Sequence, residues 1–223
     1  KNIEFSIHGA TFDCNTPKGS IKLNLQLNGM FSVYNALAAL TTGLAMGIEL
    51  SIIKSALEKT PSVAGRFEIV NKEPLVIVDY AHTPDGLENV LKAAREITPK
   101  GSNLICLFGC GGDRDATKRP KMGAIADRLS DKVIVTSDNP RTEEPLEILK
   151  EIEVGIKEKI ADKIYECIPD RHEAIHRAID MAEAGDIVLI LGKGHENYQI
   201  LKDKTIHFDD KEVALEIMGT QMK

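Results

Sequence analysis

The stretch Ile187-Val188-Leu189-Ile190-Leu191-Gly192-Lys193-Gly194-His195-Glu196 decides the fold of this 223-residue chain. Five apolar residues with no polar break suit a strand buried on both faces, which belongs inside a parallel sheet. The run stops on a glycine-flexible turn carrying Lys, His and Glu. Working outward, Val133-Ile134-Val135 leads in the same way to Asp138-Asn139-Pro140-Arg141. In open α/β sheets ligands sit outside the carboxyl ends of the strands, so both polar motifs fall where such a sheet binds small molecules. One supplies Asn and Arg, the other Lys, His and Glu. Together they suit a ligand carrying both a carboxylate and an ammonium group, such as an amino acid.

Around these two strands the pattern alternates. Strands are expected at Leu75–Asp79, Asn103–Phe108, Lys132–Ser137, Ile164–Ile168 and Ile187–Leu191. Helices are expected between them. Thr83-Pro84 caps one that reaches Ile97, with Pro84 suited to the first helical position. A second begins near Pro120. Pro145 opens a third with Ile148, Leu149, Ile152 and Ile156 on one face. Asp170 caps a fourth, and a last helix carries Val213–Met218 behind Asp209-Asp210, both read as its cap. Gln199–Leu201 and Thr205–His207 flank a turn at Lys202-Asp203-Lys204. This alternation predicts a doubly wound, mostly parallel Rossmann-like sheet over residues 66–223. Residues 1–65 differ in character: a hairpin turning at Pro17-Lys18-Gly19, an Ala/Leu-rich helix from Ser32 to Gly47, and Ser51 as N-cap of Ile52–Lys59. So thin a core suggests the tail of a larger domain.

Hydrophobic content of 43% and charged content of 28% describe a soluble globular protein. A net charge of −6 argues against nucleic acid as a partner. The apolar runs fall well short of the ~20 residues of a membrane helix, and no signal peptide is evident. Cys14, Cys106, Cys110 and Cys167 lack zinc-ligand spacing, so no metal site is expected from them. Free thiols point to a reducing compartment, the cytoplasm.

Each motif also has a plain structural reading. Gly109-Cys110-Gly111-Gly112-Asp113-Arg114-Asp115 fits neither the dinucleotide fingerprint nor the P-loop, and its glycines can serve a tight turn. Arg114 nevertheless suits a carboxylate or phosphate. Asp138–Arg141 can form an Asx turn, which leaves Arg141 unexplained. In Asp79-Tyr80-Ala81-His82 the acid suits a ribose hydroxyl, while His82 can equally be a polar helix-start residue.

Taken in order, Gly65-Arg66-Phe67-Glu68, Val78–Asp85, Gly109–Asp115, Asp138–Pro145 and Gly192–Glu196 resemble the Mur ligases of peptidoglycan synthesis, within them the diaminopimelate-adding branch. The resemblance runs from about residue 3 to residue 218. It implies that residues 1–65 end the central ATP-binding domain and that 66–223 form the C-terminal, amino-acid-binding domain. It also implies ATP-dependent amide formation through an acyl phosphate, with Mg2+ and with meso-diaminopimelate and UDP-N-acetylmuramoyl-dipeptide as substrates. Arg114, Asp138, Asn139, Pro140, Arg141, Gly192 and Glu196 would hold the diaminopimelate, Asn139 and Arg141 at its distal carboxylate and Gly192 and Glu196 at its ammonium group. Asn35, Arg66, Asp79 and His82 would face ATP. Ser32 stands where the family usually shows an asparagine. The P-loop, the metal-binding acids and the sugar-nucleotide domain are missing from the 223 residues, so no catalytic residue is expected among them and the chain alone is expected to be inactive. A monomer is expected. Two alternatives stay open: a related ligase that adds lysine or another amino acid, and a non-catalytic module that binds an amino acid.

Overall fold

Alternating apolar and polar residues from Phe5 to Leu25 fold into an antiparallel meander of β1 (Glu4–Ser6), β2 (Gly9–Thr16) and β3 (Gly19–Leu25). The computed structural model describes residues 1–156 and 164–219. It divides into two units, Lys1–Val63 with Lys92–Ile97, and Ala64–Leu91 with Thr98–Lys223. In the first unit Phe12, Leu23 and Leu25 pack with Val33, Ala36 and Leu40 of α1 (Met30–Ala45) and Ile53 of α2 (Leu50–Lys59). A Cβ on Gly43 would come within 2.8 Å of the Ile53 side chain, so the glycine lets the two helices approach closely. Ser51, expected as an N-cap, lies inside α2. The cap position is Glu49, which makes no side-chain capping bond.

The second unit is built on a six-stranded sheet. Its strands are β4 (Glu68–Lys72), β5 (Leu75–Asp79), β6 (Leu104–Phe108), β7 (Lys132–Val135), β8 (Ile164–Cys167) and β9 (Ile187–Leu191). Their spatial order is β4-β5-β9-β6-β7-β8, all parallel except β4, which pairs antiparallel with β5 at the edge. This is the expected mostly parallel α/β sheet with one edge strand added. Every residue of β5, β6 and β9 is buried, as the unbroken apolar runs require.

The crossovers explain how both faces are covered. From β5 the chain passes through α3 (Pro84–Ile97) to β6, through α4 (Lys118–Leu129) to β7 and through α5 (Pro145–Glu153) to β8, always moving the same way across the sheet. It then reverses through α6 (Arg171–Asp180) to β9, which inserts between β5 and β6. Right-handed crossovers in opposite directions put their helices on opposite faces. Val76, Val78, Ile105, Leu107, Val188 and Ile190 accordingly pack on Ala174, Ile175 and Ala178 of α6 and on Val213 and Ala214 of α7 (Asp210–Ile217). The hairpin β10 (Tyr198–Ile200) and β11 (Thr205–His207) stands apart as a two-stranded sheet.

Some caps are as expected, and other local expectations shift. The Thr83 hydroxyl caps α3 by accepting from the Gly86 N–H at 3.2 Å. Helix α4 begins at Lys118, two residues before Pro120. Ile156 lies beyond α5, whose buried face is Ile148, Leu149 and Ile152. Asp209 caps α7 by accepting from the N–H groups of Lys211 and Glu212, whereas Asp210 is wholly buried and paired with Arg171.

Candidate functional site

The loops after β5, β6, β7 and β9 meet at the carboxyl edge of the sheet around a cleft of about 610 Å3. Arg114, Asp138, Asn139, Arg141, Gly192, Glu196 and His82 line it, all within the second unit. These residues come from four separate chain segments. Parallel pairing brings the segments together by ending their strands at one edge, Asp79 beside Leu191 and Leu191 beside Phe108.

Loop ties fix the walls. The Gly112 N–H donates to the Asn139 carbonyl at 2.9 Å. Asp113 accepts from the Thr142 hydroxyl at 2.7 Å and from its N–H at 3.2 Å. Arg119, 1% exposed, donates to Glu143 and Glu151, each at 2.9 Å, and to the Gly111 carbonyl. Glycine is required where these loops touch, because a Cβ on Gly112 would lie 1.9 Å from the Pro140 carbonyl oxygen. On the far side β10 braces the Asp138–Arg141 loop: Gln199 donates to the Asp138 carbonyl at 2.8 Å and the Arg141 N–H to the Ile200 carbonyl at 3.1 Å.

Within these walls the charges divide into committed and uncommitted groups. Arg141 adopts φ 53, a region non-glycine residues rarely enter, and anchors one guanidinium nitrogen on the Gly112 carbonyl at 2.8 Å. Arg114 is exposed and bonds only the Asp113 carbonyl, at 3.1 Å. Among the described residues neither arginine has a carboxylate within ion-pair distance. Asp138 is 7% exposed, and among the described residues its carboxylate accepts no hydrogen bond. Burial pushes its carboxyl up, against the pull of the Arg171 and Lys193 charges. Gly192, at φ 113, passes so close that a Cβ there would stand 2.8 Å from Asp138 Oδ2.

Asn139 has a different placement from the one its motif suggested. Its Oδ1 accepts from the Ile200 N–H at 2.9 Å and from Lys193 at 3.3 Å, while its Nδ2 donates to Glu196 Oε2 at 3.0 Å. Lys193 is completely buried and also donates to Glu196 Oε2 at 3.2 Å and to the Tyr198 carbonyl. Asn139, Lys193 and Glu196 therefore form one bonded cluster that fixes the Glu196 side chain and leaves its second oxygen for a ligand. Pro140 is buried and does not line the cleft. Arg171 and Tyr198 were not singled out from sequence, and Lys193 was expected as part of the polar turn after β9 that faces a ligand, not as a buried residue. Only Lys193 carried a signal, through its place between two glycines.

The residues expected to face a nucleotide belong to both units. Arg66, Asp79 and His82 gather round Tyr80: the Arg66 guanidinium lies 4.6 Å from its ring centre, and the His82 ring centre also lies 4.6 Å away. Asp79 accepts from the Phe67 and Ala81 N–H groups, each at 2.7 Å, and burial pushes its carboxyl up in spite of them. Its carboxylate thus ties two loops and lies outside the cleft lining, whereas Arg66 and His82 are exposed. Asn35 is exposed on α1 of the first unit. Ser32 is buried, and its hydroxyl donates to the Asn28 carbonyl at 2.7 Å. Among the described residues no three His, Cys, Asp or Glu side chains are gathered to hold a metal, and no helix is long and apolar enough to cross a membrane. All four cysteines are free thiols. Burial pushes Cys106 and Cys110 up to about 12.

Known proteins share this fold. The chain is 49% identical over 223 residues to the UDP-N-acetylmuramoyl-L-alanyl-D-glutamate–2,6-diaminopimelate ligase of Syntrophomonas wolfei, covering 99% of this chain and 45% of that protein. It is 51% identical to the ligase of the same name from Bacillus velezensis, over 96% of this chain and 43% of that one. The chain thus spans less than half the length of these curated relatives. A solved structure of a ligase of that name superposes with a TM-score of 0.72 at 39% identity, over 98% of this chain and 44% of that one. UDP-N-acetylmuramate-alanine ligase MurC of Thermotoga maritima, at 22% identity over 98% of this chain and 44% of that one, also superposes with a TM-score of 0.72, which shows a common fold. The Mur ligase glutamate ligase domain matches residues 65–194, more than half of the chain, and the protein therefore belongs to the Mur ligase family.

Proposed function

We propose that this chain is the amino-acid-binding part of an ATP-dependent amide ligase that joins meso-diaminopimelate to UDP-N-acetylmuramoyl-L-alanyl-D-glutamate in cytoplasmic peptidoglycan precursor synthesis. The observation that carries this reading is the set of uncommitted charges in one cleft. Arg114 and Arg141 lack carboxylate partners among the described residues, and Asp138 and one oxygen of Glu196 lack donors. A ligand with two carboxylates and two ammonium groups satisfies all four, because guanidinium groups grip carboxylates in a planar fork and carboxylates take ammonium donors. Lysine has no second carboxylate and would leave one arginine without a partner. The relatives from Syntrophomonas wolfei and Bacillus velezensis are 2,6-diaminopimelate ligases, in agreement with this substrate.

In this reading the chain's own residues orient rather than bond. Arg114 and Arg141 fix the two carboxylates, and Asp138 and Glu196 hold ammonium groups. One amine must lose its proton before it can attack, so it has to be presented to the acyl group rather than clamped. ATP would supply the phosphoryl group that converts the dipeptide carboxylate into an acyl phosphate, from which the attacking amine displaces inorganic phosphate. Arg66 and His82 beside Tyr80 are the residues here suited to its phosphates and base. Among the described residues no cluster of acidic groups suits a magnesium ion. Residues 1–65 are read as the end of a central ATP-binding domain and 66–223 as the amino-acid domain. The amino acid, the sugar-nucleotide dipeptide and the preceding domains of the same polypeptide are the partners, in a monomer.

The test is phosphate release by the full-length ligase given ATP, the sugar-nucleotide dipeptide and either meso-diaminopimelate or L-lysine. Turnover with diaminopimelate and little with lysine is expected. Equal turnover, or preference for lysine, would refute the reading.

A further inference from the structure

Beneath the cleft, on the α6–α7 face of the sheet, lies a side-chain pair that is not part of the cleft lining. Arg171 opens α6 and Asp210 opens α7, and neither side chain has any exposed surface. Arg171 Nε donates to Asp210 Oδ1 and Nη2 to Oδ2, each at 2.7 Å, a locked bidentate pair. The same guanidinium donates from Nη1 to the Ser137 carbonyl at 3.2 Å and from Nη2 to the Leu191 carbonyl at 3.1 Å. Ser137 immediately precedes Asp138, and Leu191 immediately precedes Gly192. Strands β7 and β9 are not neighbours, since β6 runs between them. One planar group thus spans three strands and holds the backbone at the root of both substrate loops.

Stability alone is a poor reason for such a pair. Two apolar side chains of similar volume would join α6 to α7 at least as well, because desolvating the charges largely cancels their attraction. An apolar pair cannot grip two carbonyls in fixed positions. Lysine cannot either, having one nitrogen where the guanidinium has three.

We propose that Arg171, held by Asp210, is a positioning residue for amino-acid binding. It sets the spacing between the Asp138–Arg141 loop and the Gly192–Glu196 turn, and it places a positive charge behind the unpartnered Asp138. This rests on the diaminopimelate reading of the cleft.

The experiment compares the full-length ligase with R171K and with the double variant R171M/D210L, measuring KM for each of the three substrates and the thermal unfolding midpoint. In R171K the KM for meso-diaminopimelate should rise on the order of 10- to 100-fold, as misplaced contacts do, while the KM values for ATP and for the dipeptide hold. The double variant should unfold at the wild-type temperature and show the same selective rise. A folded variant with wild-type KM for diaminopimelate overturns the proposal. So does a parallel rise in all three KM values, and so does an R171K protein that fails to fold, because each makes the pair a general framework element. If the wild-type ligase does not use diaminopimelate, the substrate reading has failed. Amide exchange in R171K then decides the positioning role alone: residues 138–142 and 192–197 should lose protection while β6 keeps its own, and unchanged exchange there overturns it.

Discussion

Replacing Arg141 separates affinity from stability, because the residue combines an uncommon backbone angle with an uncommitted side chain. At φ 53 a non-glycine residue carries a cost of roughly 1–2 kcal/mol that glycine does not. Its main intramolecular side-chain anchor, to the Gly112 carbonyl at 2.8 Å with a longer contact to the Asn139 carbonyl at 3.4 Å, contributes about 1 kcal/mol net. Arg141→Ala keeps the angle and loses the anchor, so it should destabilise by about 1 kcal/mol. Arg141→Gly loses the anchor and relieves the angle, and should therefore lie near the wild type and about 1 kcal/mol above the alanine variant. Affinity behaves otherwise. Both variants lose a charge-assisted contact to a ligand carboxylate worth roughly 1.5–3 kcal/mol, about 10- to 150-fold in Kd. Urea unfolding of this chain and calorimetric titration of the full-length ligase with meso-diaminopimelate measure the two effects. Retained affinity in either variant would refute the carboxylate role. An alanine variant as stable as the glycine variant would refute the backbone argument.

Lys193→Met should destabilise by about 2–4 kcal/mol in urea, since it removes a fully buried cation, leaves the Tyr198 carbonyl without that donor and leaves Glu196 Oε2 with the Asn139 amide alone. A loss below about 1 kcal/mol would mean that the Asn139 cluster stands without it. Burial pushes Asp186 up, but N–H donors from Asn103 and Glu183, the Asn103 amide and the Lys132 charge outweigh it and leave the carboxyl lowered. A lowered folded pKa gives stability that is present above the unfolded value, near 4, and lost as pH falls through the folded one. The urea midpoints of wild type and Asp186→Asn should therefore converge as pH falls from about 5 to 2, and a constant gap would contradict this. Cys167 is the one exposed thiol among four, so a maleimide followed by mass spectrometry should label it first in the native chain, and early labelling of Cys106 or Cys110 would contradict their burial.

The runs Leu75–Asp79 and Ile187–Leu191 were legible because a strand buried on both faces must be apolar throughout, which no surface element requires. Strand β4 was not. Glu68-Ile69-Val70-Asn71-Lys72 is half-exposed at the sheet edge with a bulge at Ile69/Asn71, so neither alternation nor continuity marks it. The cleft-lining arginines and acids were legible as charges at strand ends. The commitment of Asn139 was not, because an amide offers the same donors and acceptors to a ligand as to Lys193 and Ile200. Arg171 and Asp210 each looked like a polar residue at a helix start. Only the meeting of two helices 39 residues apart in sequence buries them.

The position of β9 has a consequence for biosynthesis. It is the last parallel strand to be made, yet it fills the middle of the sheet, pairing Leu75 with Ile187 on one side and Leu104 with Ile187 on the other. Until it leaves the ribosome, β5 and β6 present open edges to each other across a strand-wide gap, and pairing so distant in sequence is slow to form. The four loops of the cleft therefore assemble together and late, so a nascent chain stopped before Ile187 has no ligand pocket for a substrate to stabilise.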